Sequence, residues 1–334
     1  MEEKMREILE KYPIEIKHLY RGRGSWLCET DQGLKLLRLY MSSPQKLQWE
    51  IHIKQQLKMM GCDFIDSVVH NKEGEYLTKD ENDNYILTDW FSGRECNTRD
   101  RQDILKAVVQ MANMHQKMCS LNTELINQDC HDTENIYDEM CRRLREFKTI
   151  RNYIIHKKQK NDFDRLIFQV LSRYEDDAKR AIYMLLDMDY KTMYENARLN
   201  VNVCHGELHQ HNIIIMKDKM AIVRFDQMRI ELRIYDLYTF VRKIMEKNRW
   251  NISLGIAMID TYQRMYPMDY RQIRCLYSLL LFPEKFWKII NRYHNARKSW
   301  MSAQNMSKLD KVIREEALKS QFMDALDLYC EKIN

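Results

Sequence analysis

The chain has 334 residues, 45% hydrophobic and 31% charged, with only 8 glycines and 4 prolines. It is long enough for two lobes, and its composition excludes a disordered, collagen-like or loop-dominated protein. The net charge of +5 is small for this length and dispersed, so it carries no nucleic-acid footprint.

Nine cysteines (28, 62, 96, 119, 130, 141, 204, 275 and 330) are odd in number and form no Cys-x-x-Cys pair. Scattered thiols of this kind point to a reducing compartment, not to a disulfide framework or a zinc site. The opening stretch MEEKMREILEKY is charged from its second residue and lacks an apolar signal region, which leads to the expectation of a cytoplasmic protein. The longest apolar run, near Leu279–Phe282, is too short for a membrane span.

In chain order, Met5, Ile8 and Leu9 stand at helical spacing before Pro13. Ile14–Tyr20 reads as a strand leading into Arg21-Gly22-Arg23-Gly24-Ser25-Trp26. Trp26–Thr30 and Leu34–Tyr40 are strands joined by the turn Asp31-Gln32-Gly33. Gly22 and Gly24 can let backbone N–H groups approach a phosphate, or they can serve only a turn. Lys35 and Arg38 are the basic residues of the Leu34–Tyr40 strand. A helix over Gln45–Met60 follows, with Pro44 near its start, Glu50 inside it and Gly61 just past its end.

Phe64–Val69 and Tyr85–Trp90 complete a small sheet, with the polar stretch Asn71–Asn84 between them. Asn97 or Thr98 can cap a helix that runs to about Met118 and buries Ile104, Leu105, Val108, Met111, Ala112 and His115. Helices over roughly 134–156 and 163–186 follow, and from Thr239 onward the period is helical. These helices can build an acceptor pocket or dock partners.

The stretch Cys204–Asp236 organises the rest. It reads as a polar turn, an apolar strand Asn212–Met216, the charged reversal Lys217-Asp218-Lys219 and a second strand Met220–Phe225. His205, Glu207 and Asn212 then lie at the mouth of a hairpin. Arg224 and Asp226, two residues apart, share one face if the chain stays extended. Two zinc patterns can be set aside: the deaminase one, because His-x-Glu has no Pro-Cys-x-x-Cys after it, and the protease one, because Gly206 separates His205 from Glu207.

The string His205-Gly206-Glu207-Leu208-His209-Gln210-His211-Asn212 resembles the H-G-D-x-H-x-x-N loop of aminoglycoside and choline kinases. With Trp90-Phe91-Ser92-Gly93-Arg94-Glu95-Cys96, Tyr235-Asp236-Leu237, Phe282-Pro283-Glu284-Lys285-Phe286-Trp287 and Lys298-Ser299-Trp300, the chain more closely resembles the CotS-type spore-coat proteins. The resemblance implies an α+β, two-lobed, protein-kinase-like (aminoglycoside phosphotransferase-like) fold. Its small antiparallel sheet lobe would span residues 1–92, and its large, mainly helical lobe 93–334 would carry the catalytic-like loop 204–236.

The resemblance also implies roles, residue by residue. Glu207 stands at the acceptor-base position beside His205, and Asn212 at a Mg²⁺-ligand position. Arg38, in LLRLY, would contact phosphate and pair with Glu50, with Lys35 as the alternate. Gly22 and Gly24 would cover phosphates, and the backbone at Asp89 would hold adenine. Asp236 would orient the catalytic loop or merely cap a helix. ATP and Mg²⁺ are the implied cofactors, but Arg224 stands where the family carries its metal-binding Asp. Arg224 can pair with Glu207, contact phosphate without metal, or leave Asp226 to act as replacement ligand. Two functions follow. One is a degenerate kinase in spore-coat structure or assembly, partnered by coat proteins. The other is an active ATP/Mg²⁺-dependent phosphotransferase acting on a hydroxyl acceptor.

Overall fold

The computed structural model describes residues 2–22, 24–81, 83–122, 134–295 and 303–333. Arg23, Cys130 and Lys298-Ser299-Trp300 lie outside the described residues. By internal contacts the chain divides into two compact units, residues 1–132 with 200–230, and residues 133–199 with 231–334. The expected division at residue 92 differs from this one in where 93–132 and 200–230 fall.

The first unit opens with α1 (Glu2–Glu10), whose stripe of Met5, Ile8 and Leu9 is buried. That stripe packs with Cys28, Leu37, Tyr85 and Leu87 of a sheet. The sheet holds β1 (Ile16–Arg21), β2 (Ser25–Thr30), β3 (Gly33–Leu39), β4 (Val68–Val69), β5 (Thr78–Asp80) and β6 (Asp83–Asp89). Its order is β1-β2-β3-β6-β4, with β5 also on β6, and every pairing is antiparallel. Gly33 takes φ +87° in the β2–β3 turn, where a side chain would strain the backbone.

Between β3 and β4 runs α2 (Pro44–Met59). Ser43 caps it by accepting from the Lys46 N–H, and Pro44 sits where a missing N–H costs nothing. Only Val68 and Val69 of the expected strand 64–69 pair regularly, while Ile65 makes one isolated bridge to Ile222. β5 rises from the polar stretch 71–84, where propensity carried no strand signal. After β7 (Arg94–Glu95) comes α3 (Arg101–Met118), capped by Asp100, not by Asn97 or Thr98. Asn97 instead makes a local turn by accepting from the Arg99 N–H.

The remaining strands are β8 (Val203–Cys204), β9 (Ile213–Ile215), β10 (Met220–Ile222) and β11 (Arg229–Ile230). They form the antiparallel ladders β10-β9-β7 and β11-β8. Gly93 has no positive φ. It is glycine because a Cβ there would lie 2.5 Å from the Ile215 carbonyl oxygen.

The second unit is helical: α4 (Ile136–His156), α5 (Asp162–Asp187), α6 (Tyr190–Leu199), α7 (Ile234–Met245), α8 (Ile252–Met265), α9 (Tyr270–Leu281), α10 (Glu284–His294) and α11 (Ala303–Glu331). Asn161 with Asp164, and Asp269 with Gln272, form reciprocal caps at the starts of α5 and α9. The Phe286 ring lies 5.9 Å from Phe147 and 3.9 Å from Tyr174, in a stacked core. Arg143 is buried against Glu284 and lies 4.3 Å over the Trp287 ring. Glu231, fully buried, accepts from Tyr190 Oη at 2.8 Å and from the first N–H of α4 at 3.1 Å. Asp236 is not the cap of α7: Arg233 holds that position and Asp236 lies within the first turn. Among the described residues no helix is long and apolar enough to cross a membrane.

Candidate functional site

The loop that carries Glu207 is held by a close backbone approach. Gly206 has φ +83°, and a Cβ there would lie 1.7 Å from the Gln227 carbonyl oxygen. Only glycine fits. His205 is fully buried, its ring 4.6 Å from Phe225. Its Nε2 donates to the Val223 carbonyl at 3.1 Å, and its Nδ1 accepts from the Glu207 N–H at 3.4 Å. Both nitrogens therefore brace the loop, and neither is presented for proton transfer.

Glu207 itself is 57% exposed, with His209 Nε2 3.6 Å from its carboxylate. That imidazole holds its pKa below the usual range, against the opposing effect of burial. Asn212 is 2% exposed. Its amide donates to the Glu207 carbonyl at 2.8 Å, while its Oδ1 is buried with no hydrogen-bond partner.

The expectation that Arg224 and Asp226 share a strand face fails. β10 ends at Ile222, and Arg224 takes φ +65°, so period-two alternation stops before it. Arg224 Nη2 donates to Ser25 Oγ at 3.2 Å, at the end of the glycine turn, and its guanidinium lies 5.7 Å from the Trp90 ring centre. It does not pair with Glu207. Burial and the neighbouring Arg38 charge both lower its pKa.

Lys35 and Arg38 are three positions apart on β3, so they leave opposite faces. Lys35 meets its cross-strand neighbour Asp89, Nζ to Oδ1 2.7 Å. Arg38, 8% exposed, pairs with Asp226 at 3.1 Å. Burial pushes the Asp226 pKa up, but Arg38, with help from a backbone N–H, His205 and Arg224, outweighs it and holds the group low.

The expected Arg38–Glu50 ion pair is therefore absent, and so is its Lys35 alternate. Glu50, 1% exposed, accepts from Tyr40 Oη at 3.0 Å. Burial pushes its pKa up to about 8, despite the opposing charge of Lys54. A proton, not an arginine, neutralises it at pH 7.

This carries a pH prediction. Glu50 is protonated in the folded chain up to about pH 8 and ionises in the unfolded chain above about 4.3. The unfolded state then binds fewer protons, so stability falls as pH rises across that window, by at most about 1.4 kcal/mol per unit. Relative to Glu50→Gln, the wild type should gain stability on acidification from pH 8 to 5. Urea titrations give the comparison, and parallel pH profiles would contradict it.

The glycine turn is less open to phosphate than expected. The Gly22 N–H already donates to the Ser25 carbonyl at 2.8 Å, while Gly24 takes φ +63° in open surroundings. At the expected adenine-holding segment, the N–H groups of Asp89 and Trp90 donate to Ser67 and Leu34.

Several contacts had no sequence signal. His211 Nδ1 lies 2.5 Å from Glu95 Oε2 across the β7–β9 pairing. Lys54 and Asp66, both buried, meet at 3.6 Å. Ser25 and Tyr40 are contacts of the site for which only position next to the glycine turn or next to Arg38 could have spoken.

The fit to Mg²⁺ is poor. Magnesium requires near-octahedral oxygen ligands. Asn212 Oδ1 is a suitable orphan acceptor, but Asp226 is tied to one guanidinium and a second lies near it. Among the described residues no three His, Cys, Asp or Glu side chains are grouped to hold a metal.

The chain is 22% identical to spore coat protein S of Bacillus subtilis (strain 168), over 98% of this chain and 95% of that one. Among solved structures, an aminoglycoside phosphotransferase from Alicyclobacillus acidocaldarius superposes with a TM-score of 0.84 at 17% identity, covering 98% of this chain and 96% of that one. The amicoumacin kinase hAmiN, in complex with AMP-PNP, Ca²⁺ and Ami, gives 0.60 at 11%, covering 96% and 93%. The fold is thus the aminoglycoside phosphotransferase-like, protein-kinase-like one, a small antiparallel sheet with a mainly helical remainder. With residues 5–326 matched by the family described as "Spore coat putative kinase YutH", the chain belongs to that spore-coat kinase-like family.

Proposed function

We propose that the protein is a degenerate kinase of the spore coat or its assembly, with the nucleotide site kept and metal-assisted phosphoryl transfer lost. The observation that carries this reading is the Arg38–Asp226 ion pair beside Arg224. Asp226, two residues past the metal-ligand position, is already paired with a guanidinium. Phosphoryl transfer depends mainly on electrostatic stabilisation of the transferring group, so losing the metal removes most of the rate. Partners would be other coat proteins, and membership of the family supports a location at the coat.

Purified protein given ATP, Mg²⁺ and hydroxyl acceptors should form ADP at least about 10²-fold more slowly than a competent kinase. Mg²⁺-dependent turnover that Glu207→Ala abolishes would sink the proposal.

A second reading has its own support. The orphan Asn212 Oδ1 and the ionised Glu207 are what an active site with Asp226 as replacement ligand would need. It predicts a Mg²⁺-dependent thermal shift with ATP that disappears in Asp226→Ala.

A further inference from the structure

We infer that Arg224 and Arg38 take the polyphosphate chain of a nucleoside triphosphate directly, with no divalent cation between, and that Mg²⁺ weakens this complex. The inference rests on the degenerate-kinase reading for where a nucleotide lies.

Arg38, Arg224 and Asp226 act on one another in this site. Lys35 is matched by Asp89 and Arg38 by Asp226. Arg224 has no carboxylate within ion-pair distance among the described residues; its partners are a hydroxyl, Ser25 Oγ, and the face of Trp90. Asp226, Asp66 and Glu95 offset its charge only from beyond that distance.

The Nε atoms of Arg38 and Arg224 are both buried with no acceptor. Arg38 is more than nine-tenths buried, so its unused donor is expensive unless an anion supplies oxygens. Guanidinium forks match phosphate oxygens two at a time, which a lysine cannot do.

Arg224 also holds a left-handed backbone, φ +65°, which strains a non-glycine residue. That conformation goes together with a side chain at Ser25, where the glycine turn ends. A divalent cation entering here would meet two guanidiniums. It would also cancel about half the charge of the ligand that those guanidiniums attract.

Isothermal titration of the full chain with ATP, in EDTA and in millimolar Mg²⁺, tests this. Binding is expected in EDTA, with Kd at least about threefold weaker in Mg²⁺. Arg224→Gln should weaken metal-free binding by about tenfold or more. Should that variant not fold, a salt titration of the wild type serves: Kd in EDTA should rise steeply with NaCl, and a flat response overturns the inference.

Adenosine binding as tightly as ATP would remove the phosphate from the argument. Sodium tripolyphosphate binding as tightly as ATP would remove the nucleoside. Binding only with Mg²⁺ overturns the inference and leaves the loss of catalysis standing; no binding in either buffer overturns it together with the kept nucleotide site of the degenerate-kinase reading. Failure of that reading shows separately, as Mg²⁺-dependent ADP formation.

Discussion

Replacing Gly206 by alanine should lower stability by about 3 kcal/mol or more and abolish nucleotide-dependent stabilisation. The added Cβ would sit 1.7 Å from the Gln227 carbonyl oxygen and 2.7 Å from its carbon. Both colliding partners are backbone, so no side-chain rotation relieves the clash. The positive φ adds about 1 kcal/mol for any residue with a Cβ. The strain falls where the loop carrying Glu207 meets the segment carrying Arg224 and Asp226, so the site is disrupted along with the fold. Gly24→Ala is the matched control: its φ is +63°, but nothing lies within 4 Å of the new Cβ. It should cost only about 1 kcal/mol. Thermal melts of the two variants decide the matter. Equal shifts would mean that the Gln227 backbone yields and that close approach is not what holds the loop.

The second large effect is expected at Lys54 and Asp66. Lys54 is 3% exposed and Asp66 fully buried, with 3.6 Å between amine and carboxylate. Neither Asp66 oxygen has a hydrogen bond, and the amine also lies 5.7 Å from the centre of the Phe225 ring. Removing one charge strands the other away from water, at a cost of about 3–5 kcal/mol. Lys54→Met should show it. The double variant Lys54→Met/Asp66→Leu should be less destabilised than either single, because it buries no lone charge. Urea denaturation of the four proteins gives the cycle. Additive losses would show that the two groups do not compensate one another.

How far the site could be read from the chain varies with the kind of evidence. The glycine turn, the strand with Lys35 and Arg38, the helix with Glu50 and the loop from His205 to Asn212 are all local patterns. Their elements appear within a few residues of where periodicity and turn chemistry put them. The pairings within the site are another matter. Lys35 was the alternate partner for Glu50 and is bound to Asp89; Arg38 was the favoured one and is bound to Asp226. Strand parity explains half of this, since residues 35 and 38 cannot share a face. Nothing local marks Tyr40 as the group that takes Glu50, or Ser25 as the group that Arg224 reaches.

The sequence by itself determined where most helices and strands lie, because hydrophobic period, caps and glycine turns act over a few residues and need no distant partner; the class of fold came with the family resemblance of its motifs. The sequence also marked the anomaly, an arginine where the resemblance to aminoglycoside kinases implies a metal-binding aspartate. The three-dimensional structure alone decided what that arginine means. Left-handed backbone at residue 224 broke the alternation that would have aligned it with Asp226, and Arg38 on β3 took that carboxylate. Charge balance within the site depends on distances between residues far apart in the chain, and only the folded chain sets those.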